Sequence, residues 1–241
     1  MVLLSGIFTT LIKATPIRRL YRATVCSFVL LASFAHHNGS CFASTDGDFQ
    51  FWSTVGVSFD VNKDWAGAVE EHLKFGNDAG HFYQHQTDLG FIYKSFVNWI
   101  DIGFNYKQVF KEQSNGHWGR ENRPHFNITF KGRLGSLDFS DRSRFEYRDK
   151  EYGDDLWRYV NKFEVNLPYE FTRFKFRPYI ADQVYVNMDG SGFEKNRIYA
   201  GTTFVLSEDI ESELYYVHQW SEFLGRWQEL NALGFELKFR F

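Results

Sequence analysis

The end of the chain alternates strictly between apolar and polar or small residues. Leu233, Phe235, Leu237, Phe239 and Phe241 hold one parity, and Gly234, Glu236, Lys238 and Arg240 hold the other. A period of two predicts a β-strand whose faces meet different environments, and charge on one face predicts that this face is wet. A final strand that ends on an aromatic residue favours a β-barrel that spans a membrane.

The N-terminal region is organised like an export signal. Arg18, Arg19 and Arg22 precede a nearly uncharged apolar run over residues 23–35, and small residues precede Ser44. We predict a cleaved signal peptide over residues 1–43 and a single outer-membrane barrel domain over 44–241, with cleavage after Ala35 as the alternative. An uncleaved anchor is disfavoured because thirteen apolar residues fall short of the roughly 20 that a spanning helix needs.

Cysteine content and charge limit the partners of the predicted mature chain. Both cysteines, Cys26 and Cys41, lie in the predicted signal peptide, so a disulfide framework is not expected. Cys41 is a poor lipid-attachment site because Asn38 stands where an aliphatic residue is preferred. Loss of four basic residues leaves 23 basic against 30 acidic residues. This acidic balance argues against nucleic acid as a partner.

Period-two segments separated by turn residues continue along the whole predicted mature chain. They predict an all-β, antiparallel transmembrane β-barrel, with strands over 49–61, 65–75, 81–93, 98–110, 123–134, 137–148, 156–168, 174–187, 196–206, 209–221 and 227–241. Long loops (111–122, 149–155, 188–195 and 222–226) alternate with short turns, as expected for extracellular and periplasmic ends. These segments number eleven, but a bacterial single-chain barrel is expected to have an even number and a first strand antiparallel to the last. We therefore predict twelve strands, with ten as the alternative.

Alternation alone does not separate a membrane barrel from a soluble one, since a lipocalin-like barrel also alternates. The export signal and the terminal Phe241 favour the membrane. Tryptophans near strand ends are expected to form interfacial girdles on the outer face. They are Trp52, Trp65, Trp99, Trp157, Trp220 and Trp227.

Several short motifs carry a family resemblance. They are Tyr93-x5-Trp99-x3-Gly103-x2-Tyr106, Glu121-x-Arg123-Pro124, the run from Asp141 to Arg148, and Trp157-Arg158-Tyr159. With these motifs, residues 49–241 resemble the uncharacterised outer-membrane barrels called domain of unknown function 2490. The resemblance implies a Gram-negative outer-membrane barrel without an assigned activity, and it supplies no functional residues.

The terminal strand is also a candidate assembly signal. The resemblance to outer-membrane proteins implies that the barrel-assembly machinery recognises Leu237, Phe239 and Phe241. Expected partners are this machinery and outer-membrane lipids, and a second copy of the chain is a further candidate.

Charged residues of one parity form the main candidate site. With Gly135–Ser136 as a two-residue hairpin turn, Arg133 is expected directly across from Asp138. The predicted lumen-facing cluster consists of Arg133, Asp138, Arg142, Arg144, Glu146, Arg148 and Arg158. Either these charges pair with one another and fill the lumen, or they form a basic strip in a narrow pore that favours anions or binds an anionic ligand.

A second group has the parity expected to face lipid although its members are polar. Asp141, Ser143, Asn161 and Asp182 fall on three consecutive strands. A β-bulge that returns them to the inner face is the favoured explanation. The alternatives are a protein contact or a catalytic site facing lipid.

Motifs for catalysis are weak. The sequence has no Gly-x-Ser-x-Gly elbow, and no cofactor or metal is expected. His81 and His85 would lie roughly 13 Å apart on a strand, too far to share an ion. The favoured function is therefore an outer-membrane pore or structural barrel, ahead of a lipid-acting membrane enzyme and a soluble exported binding protein.

Overall fold

A computed structural model describes residues 46–223 and 225–241, without the side chains of residues 95 and 223. The predicted signal peptide, both cysteines and both candidate cleavage sites lie outside these residues. No helix in the described part of the chain is long and apolar enough to cross a membrane.

The described residues form eleven long β-strands. They are β1 (Asp48–Asp60), β2 (Trp65–Gly76), β3 (His81–Val97), β4 (Ile100–Glu112), β5 (Trp118–Leu134), β6 (Leu137–Lys150), β7 (Leu156–Asn166), β8 (Arg177–Asn187), β9 (Gly192–Ser207), β10 (Ile210–Phe223) and β11 (Arg226–Arg240). Each corresponds to one alternating segment of the sequence, because an alternating segment can place all its apolar side chains on one face only when it is extended.

The strands close into one barrel in which each strand pairs with its neighbours in the chain and β1 pairs with β11. The predicted all-β barrel is confirmed, and a ring of this size is consistent with the predicted class of twelve strands. All hairpin pairs are antiparallel, but β1 and β11 are parallel, with Phe51 opposite Leu233. The expectation that the first strand runs antiparallel to the last was therefore wrong for the described strands, since an odd ring has to close with one parallel pair.

Two connections differ from the predicted alternation of long loops and short turns. The predicted loop over 111–122 shrinks to residues 113–117 because β4 and β5 continue pairing out to Glu112 and Trp118. Conversely, β7 and β8 are joined by residues 167–176, at the end of the barrel where the other turns are short. Pro168 lies at the start of this connection and Pro178 at the start of β8, and proline cannot donate a ladder hydrogen bond.

The distribution of side chains is the reverse of that in an ordinary water-soluble protein: many apolar side chains are exposed and many polar ones are buried. Among the described residues, thirty-one large apolar side chains are exposed, including Phe91, Phe104 and Ile180. Half of the twenty-eight buried side chains are polar or charged, and Gln50 and Glu146 are almost completely buried. Water-soluble proteins rarely expose so much contiguous apolar surface or bury so many charges.

Aromatic pairs mark the outer face near both ends of the strands. Trp99 and Phe130 have ring centroids 6.1 Å apart near one end, and Tyr147 and Trp157 have centroids 5.3 Å apart near the other. Trp52 does not belong to this set. It is buried on the inner face of β1, because it shares the parity of Gln50 and Thr54.

The explanation of the outward polar residues by a β-bulge was wrong. β6 pairs with β7, and β7 with β8, without a register shift. The residues stay on the outer face and bond to one another: Asn161 Nδ2 donates to Asp141 Oδ1 at 2.5 Å, and Asn196 Nδ2 donates to Asp182 Oδ1 at 2.6 Å. We call Asp141, Ser143, Asn161, Asp182 and Asn196 the outer polar strip.

Candidate functional site

The ring of strands encloses a cavity of about 1040 Å³. Every one of the eleven strands contributes to its lining, which identifies it as the interior of the barrel. The lining extends from Tyr152, in the connection between β6 and β7, to Lys175 and Arg240 at the opposite end of the barrel. The cavity therefore runs along the barrel and is not a pocket at one rim.

Basic side chains outnumber acidic ones in this lining. Seventeen lysine and arginine side chains face nine glutamates, an excess of eight cations. The whole chain has the opposite balance, with a formal net charge of −3. The fold thus concentrates positive charge inside an acidic protein.

The predicted cluster is divided between this cavity and one rim. Arg142, Arg144, Glu146, Arg148 and Arg158 all line the cavity. The two remaining members, Arg133 and Asp138, are not part of the lining.

At the rim, the predicted hairpin register is confirmed. Arg133 lies opposite Asp138, and its Nε donates to Asp138 Oδ1 at 2.6 Å. The Arg133 side chain is 70% exposed, and Arg177 also binds Asp138. This pair belongs to the end of the barrel, where solvent reaches it.

Three glutamates and three arginines form a network on the inner wall of β5, β6, β7 and β9, which we call the paired Arg–Glu network. Arg158 binds Glu146, with Nε to Oε1 at 2.6 Å, and also Glu194, with NH1 to Oε2 at 2.9 Å. Arg148 bridges Glu121 and Glu194, and Arg123 binds Glu121 through two hydrogen bonds of 2.8 Å. With equal numbers of each sign, the network is neutral and holds four strands together.

A second set of side-chain contacts, consisting of one ion pair and several hydrogen bonds, links β3, β4, β5 and β6. Lys107 Nζ lies 3.1 Å from Asp88 Oδ2, and Asn105 donates to the other oxygen of Asp88 at 3.0 Å. Asn127 then donates to Asn105, and Arg144 Nε donates to Asn127 Oδ1 at 2.9 Å. Arg144 is thereby oriented by an amide, while its nearest carboxylate contact is Glu146 at 3.9 Å.

Seven lining cations make no ion pair with any described residue: Lys74, Arg142 and Arg197, together with Lys111, Arg120, Lys150 and Lys175. Among the described residues Arg142 also has no side-chain hydrogen-bond partner, whereas Lys74 lies over the Trp52 ring, 3.8 Å from its centroid. Arg197 donates to the neutral groups Gln219 Oε1 and Tyr185 OH at 2.7 and 2.8 Å. We call three of the seven, Lys74, Arg142 and Arg197, the unpaired cations.

Aromatic residues fill the side of the interior formed by β1 and β8–β11. Trp52, Tyr179 and Tyr199 belong to a buried cluster, against which Tyr215 packs. Tyr215 lies directly across from Gly234. A Cβ on that glycine would lie 2.1 Å from the tyrosine ring, so only glycine lets the ring lie flat on the wall. Aromatic side chains are therefore concentrated on one side of the cavity, whereas charged side chains line both sides.

Two members of the paired Arg–Glu network lay in segments predicted to be loops. Glu121 is a wall residue because β5 begins at Trp118, and Glu194 enters the cavity because the pairing of β8 and β9 shifts between Tyr185 and Val186. The alternation of Glu121, Arg123 and His125 was a signal that β5 begins earlier. No comparable pattern announces a bulge at Glu194.

The residues considered for catalysis do not form a catalytic site. Ser143 bonds to Tyr159 OH at 2.9 Å, not to a histidine. His81 binds Glu112 and His85 stacks on Phe110, so the two histidines have separate surroundings. The described residues contain no group of three or more histidine, cysteine, aspartate or glutamate residues suited to a metal ion.

These features define a closed all-β barrel with a cavity along its interior. A family model described as "Protein of unknown function (DUF2490)" matches residues 49–229, and the chain belongs to this family. A comparison with curated proteins found no match.

The Arg158–Glu146 contact yields a test of the paired network. Both side chains are at most 4% exposed, so Glu146→Ala leaves the guanidinium with one partner fewer in a buried place. We expect a loss of about 3 kcal/mol in the free energy of unfolding, measured by denaturant titration of the purified barrel.

The matched control is Asp60→Asn, which breaks the exposed pair between Lys94 and Asp60. This change should cost less than about 1 kcal/mol. Equal losses for the two variants would show that the inner network contributes no more than a surface ion pair.

Proposed function

We propose that this protein is an integral outer-membrane β-barrel whose lumen is a narrow passage that favours anions. Support for a membrane location comes from the exposed apolar belt, the polar interior and the closed ring of strands. In hydrocarbon every backbone polar group needs an internal partner, and a closed barrel supplies one without leaving a free edge. The predicted signal peptide and the family resemblance point to the same location.

The observation that carries the proposed selectivity is the excess of eight cations in the cavity lining. The paired Arg–Glu network is neutral, so it stiffens the wall without attracting ions. The excess arises from residues outside it, such as Lys74, Arg142 and Arg197. Rings of lysine and arginine raise the local concentration of anions in a confined pore.

The geometry also bears on the alternative of a filled lumen. The predicted internal pairing of charges describes Glu146, Arg148 and Arg158 well, but it does not describe Arg142. A purely structural barrel has no need for cations without partners, since isolated charges are costly when water is scarce. We therefore place the passage ahead of the structural barrel.

The test is ion selectivity in planar bilayers containing purified protein. Arg142→Ala and Arg144→Ala each remove one lining cation, so each should lower the ratio of chloride to potassium permeability, and the double variant should lower it further. Arg133→Ala is the matched control, because Arg133 is exposed at the rim and outside the cavity lining. Wild-type protein that inserts but never conducts would refute the passage.

Assembly provides a separate prediction. Leu237 and Phe239 alternate in β11 with the lining residues Glu236 and Lys238, and Phe241 follows the strand. If the machinery recognises this terminal pattern, deleting Phe241 should reduce the heat-modifiable barrel in outer-membrane fractions while export and signal cleavage continue. Deleting a residue from the exposed 61–64 turn controls for general damage, and normal assembly without Phe241 would contradict the proposed signal.

The outer polar strip supports a contact between two copies of the chain. Carboxylates facing lipid are unfavourable, and the strip offers both amide donors and carboxylate acceptors, as a two-fold interface requires. With no cysteine in the predicted mature chain, Asn161→Cys should crosslink to a dimer in membranes. Leu233→Cys, on β11, should remain monomeric, and equal crosslinking or none at Asn161 would count against the interface.

A further inference from the structure

Trp52 holds two of the unpaired cations inside the barrel. Lys74, its direct cross-strand neighbour on β2, places Nζ 3.8 Å from the centroid of the indole ring. Arg197 reaches the same ring from β9, with Cζ 4.7 Å from the centroid. The indole is itself fixed, because its Nε1 donates to Gln50 Oε1 at 2.9 Å.

Neither cation is neutralised by the protein. The charged groups that act most strongly on Lys74 are Arg197, Lys195, Lys107 and Lys111, all of which are cationic. The side-chain hydrogen-bond partners of Arg197 are the neutral groups of Gln219, Tyr185 and Tyr199, and none of them is a carboxylate. A cation–π contact with one indole ring offsets only part of the mutual repulsion among several like charges in a confined space.

Arg142 extends this positive region across the cavity. It lies on β6, lines the cavity and makes no ion pair with any described residue, and its electrostatic neighbours are Arg144, Glu70, Tyr185 and Tyr199. Arg197 is a neighbour of the same two tyrosines. Lys74 and Arg197 therefore meet at the Trp52 ring from two strands, and Arg142 lines the same cavity from a third strand.

Lysine and arginine side chains already lie over the aromatic rings of this region. The Tyr185 ring has Arg158, Lys195 and Arg197 between 5.1 and 5.2 Å from its centroid, and Lys162 lies 5.0 Å from that of Tyr199. A neutral ligand that stacks on aromatic rings would have to displace these cations. An anion needs no such displacement, because it binds to the cations themselves.

We propose that Lys74, Arg197 and Arg142 form a binding site for a small solute with two or more carboxylate or phosphate charges, beside Trp52 in the lumen. Oxyanions suit guanidinium groups because they accept paired hydrogen bonds. More than one negative charge is required because one charge would leave most of the excess uncompensated. The site rests on the proposed anion-favouring passage and specifies what that passage recognises.

Binding is tested on full-length barrel purified in detergent, where conduction is not needed. Inorganic pyrophosphate and a tricarboxylate are titrated separately, so that phosphate and carboxylate chemistry are distinguished, with acetate and a neutral disaccharide as comparisons. The difference in tryptophan fluorescence between the wild-type protein and Trp52→Phe reports on the site. We expect a saturable change with at least one polyanion, and none with the disaccharide.

Variants then locate the site. Lys74→Gln and Arg197→Gln should each weaken polyanion binding about tenfold, and Lys74→Arg should restore most of it. Lys63→Gln, in the exposed turn after β1, is the matched control and should bind as the wild-type protein does. Each variant is checked for the heat-modifiable band of a folded barrel, and Arg142→Gln replaces any variant that lacks it.

The outcomes separate this inference from the proposed passage. Polyanion binding that Lys74→Gln weakens, in a barrel that does not conduct, would support the site and refute the passage. An anion-selective barrel that binds neither polyanion, or binds one equally well after both Lys74→Gln and Arg197→Gln, would overturn the site and leave the passage standing.

Discussion

The structure depends on the pairing of β1 with β11, because this pairing turns an alternating sheet into a tube with an inside and an outside. Their register runs from Asp48 opposite Leu230 to Ser58 opposite Arg240, almost the full length of β1. Once the ring is closed, the same period of two that leaves Leu233 exposed outside places Glu236 and Lys238 along the cavity. Backbone pairing therefore decides which environment each side chain meets.

Inside the barrel, the ion-paired side chains and the unpaired cations have different roles. The paired Arg–Glu network ties β5, β6, β7 and β9 together and has no net charge. The unpaired cations make no ion pair with any described carboxylate, and Trp52 stabilises two of them. We infer that stability and the proposed anion recognition depend on different residues, so changes at Lys74 and at Glu146 should have separable consequences.

Much of this fold could be predicted from the sequence because a period of two is a local signal. The alternation located all eleven described strands and the Arg133–Asp138 register. The prediction that β1 runs antiparallel to β11 was wrong because the relative direction of these strands is a non-local property. It depends on closure of the whole ring. Arg142, Arg144, Glu146, Arg148 and Arg158 share the parity that lines the cavity, but Glu194 lines it only through a bulge that no sequence pattern marks. Which cations remain unpaired depends on side chains from distant strands, as with Lys74 and Arg197.

We propose that the closed ring concentrates positive charge along a continuous passage. This proposal is tested by the reversal potential of the wild-type protein in a planar bilayer that separates concentrated from dilute potassium chloride. We expect a reversal potential with the sign of chloride selectivity, which shrinks as ionic strength rises and screens the lining charges. A reversal potential with the sign of potassium selectivity would contradict it.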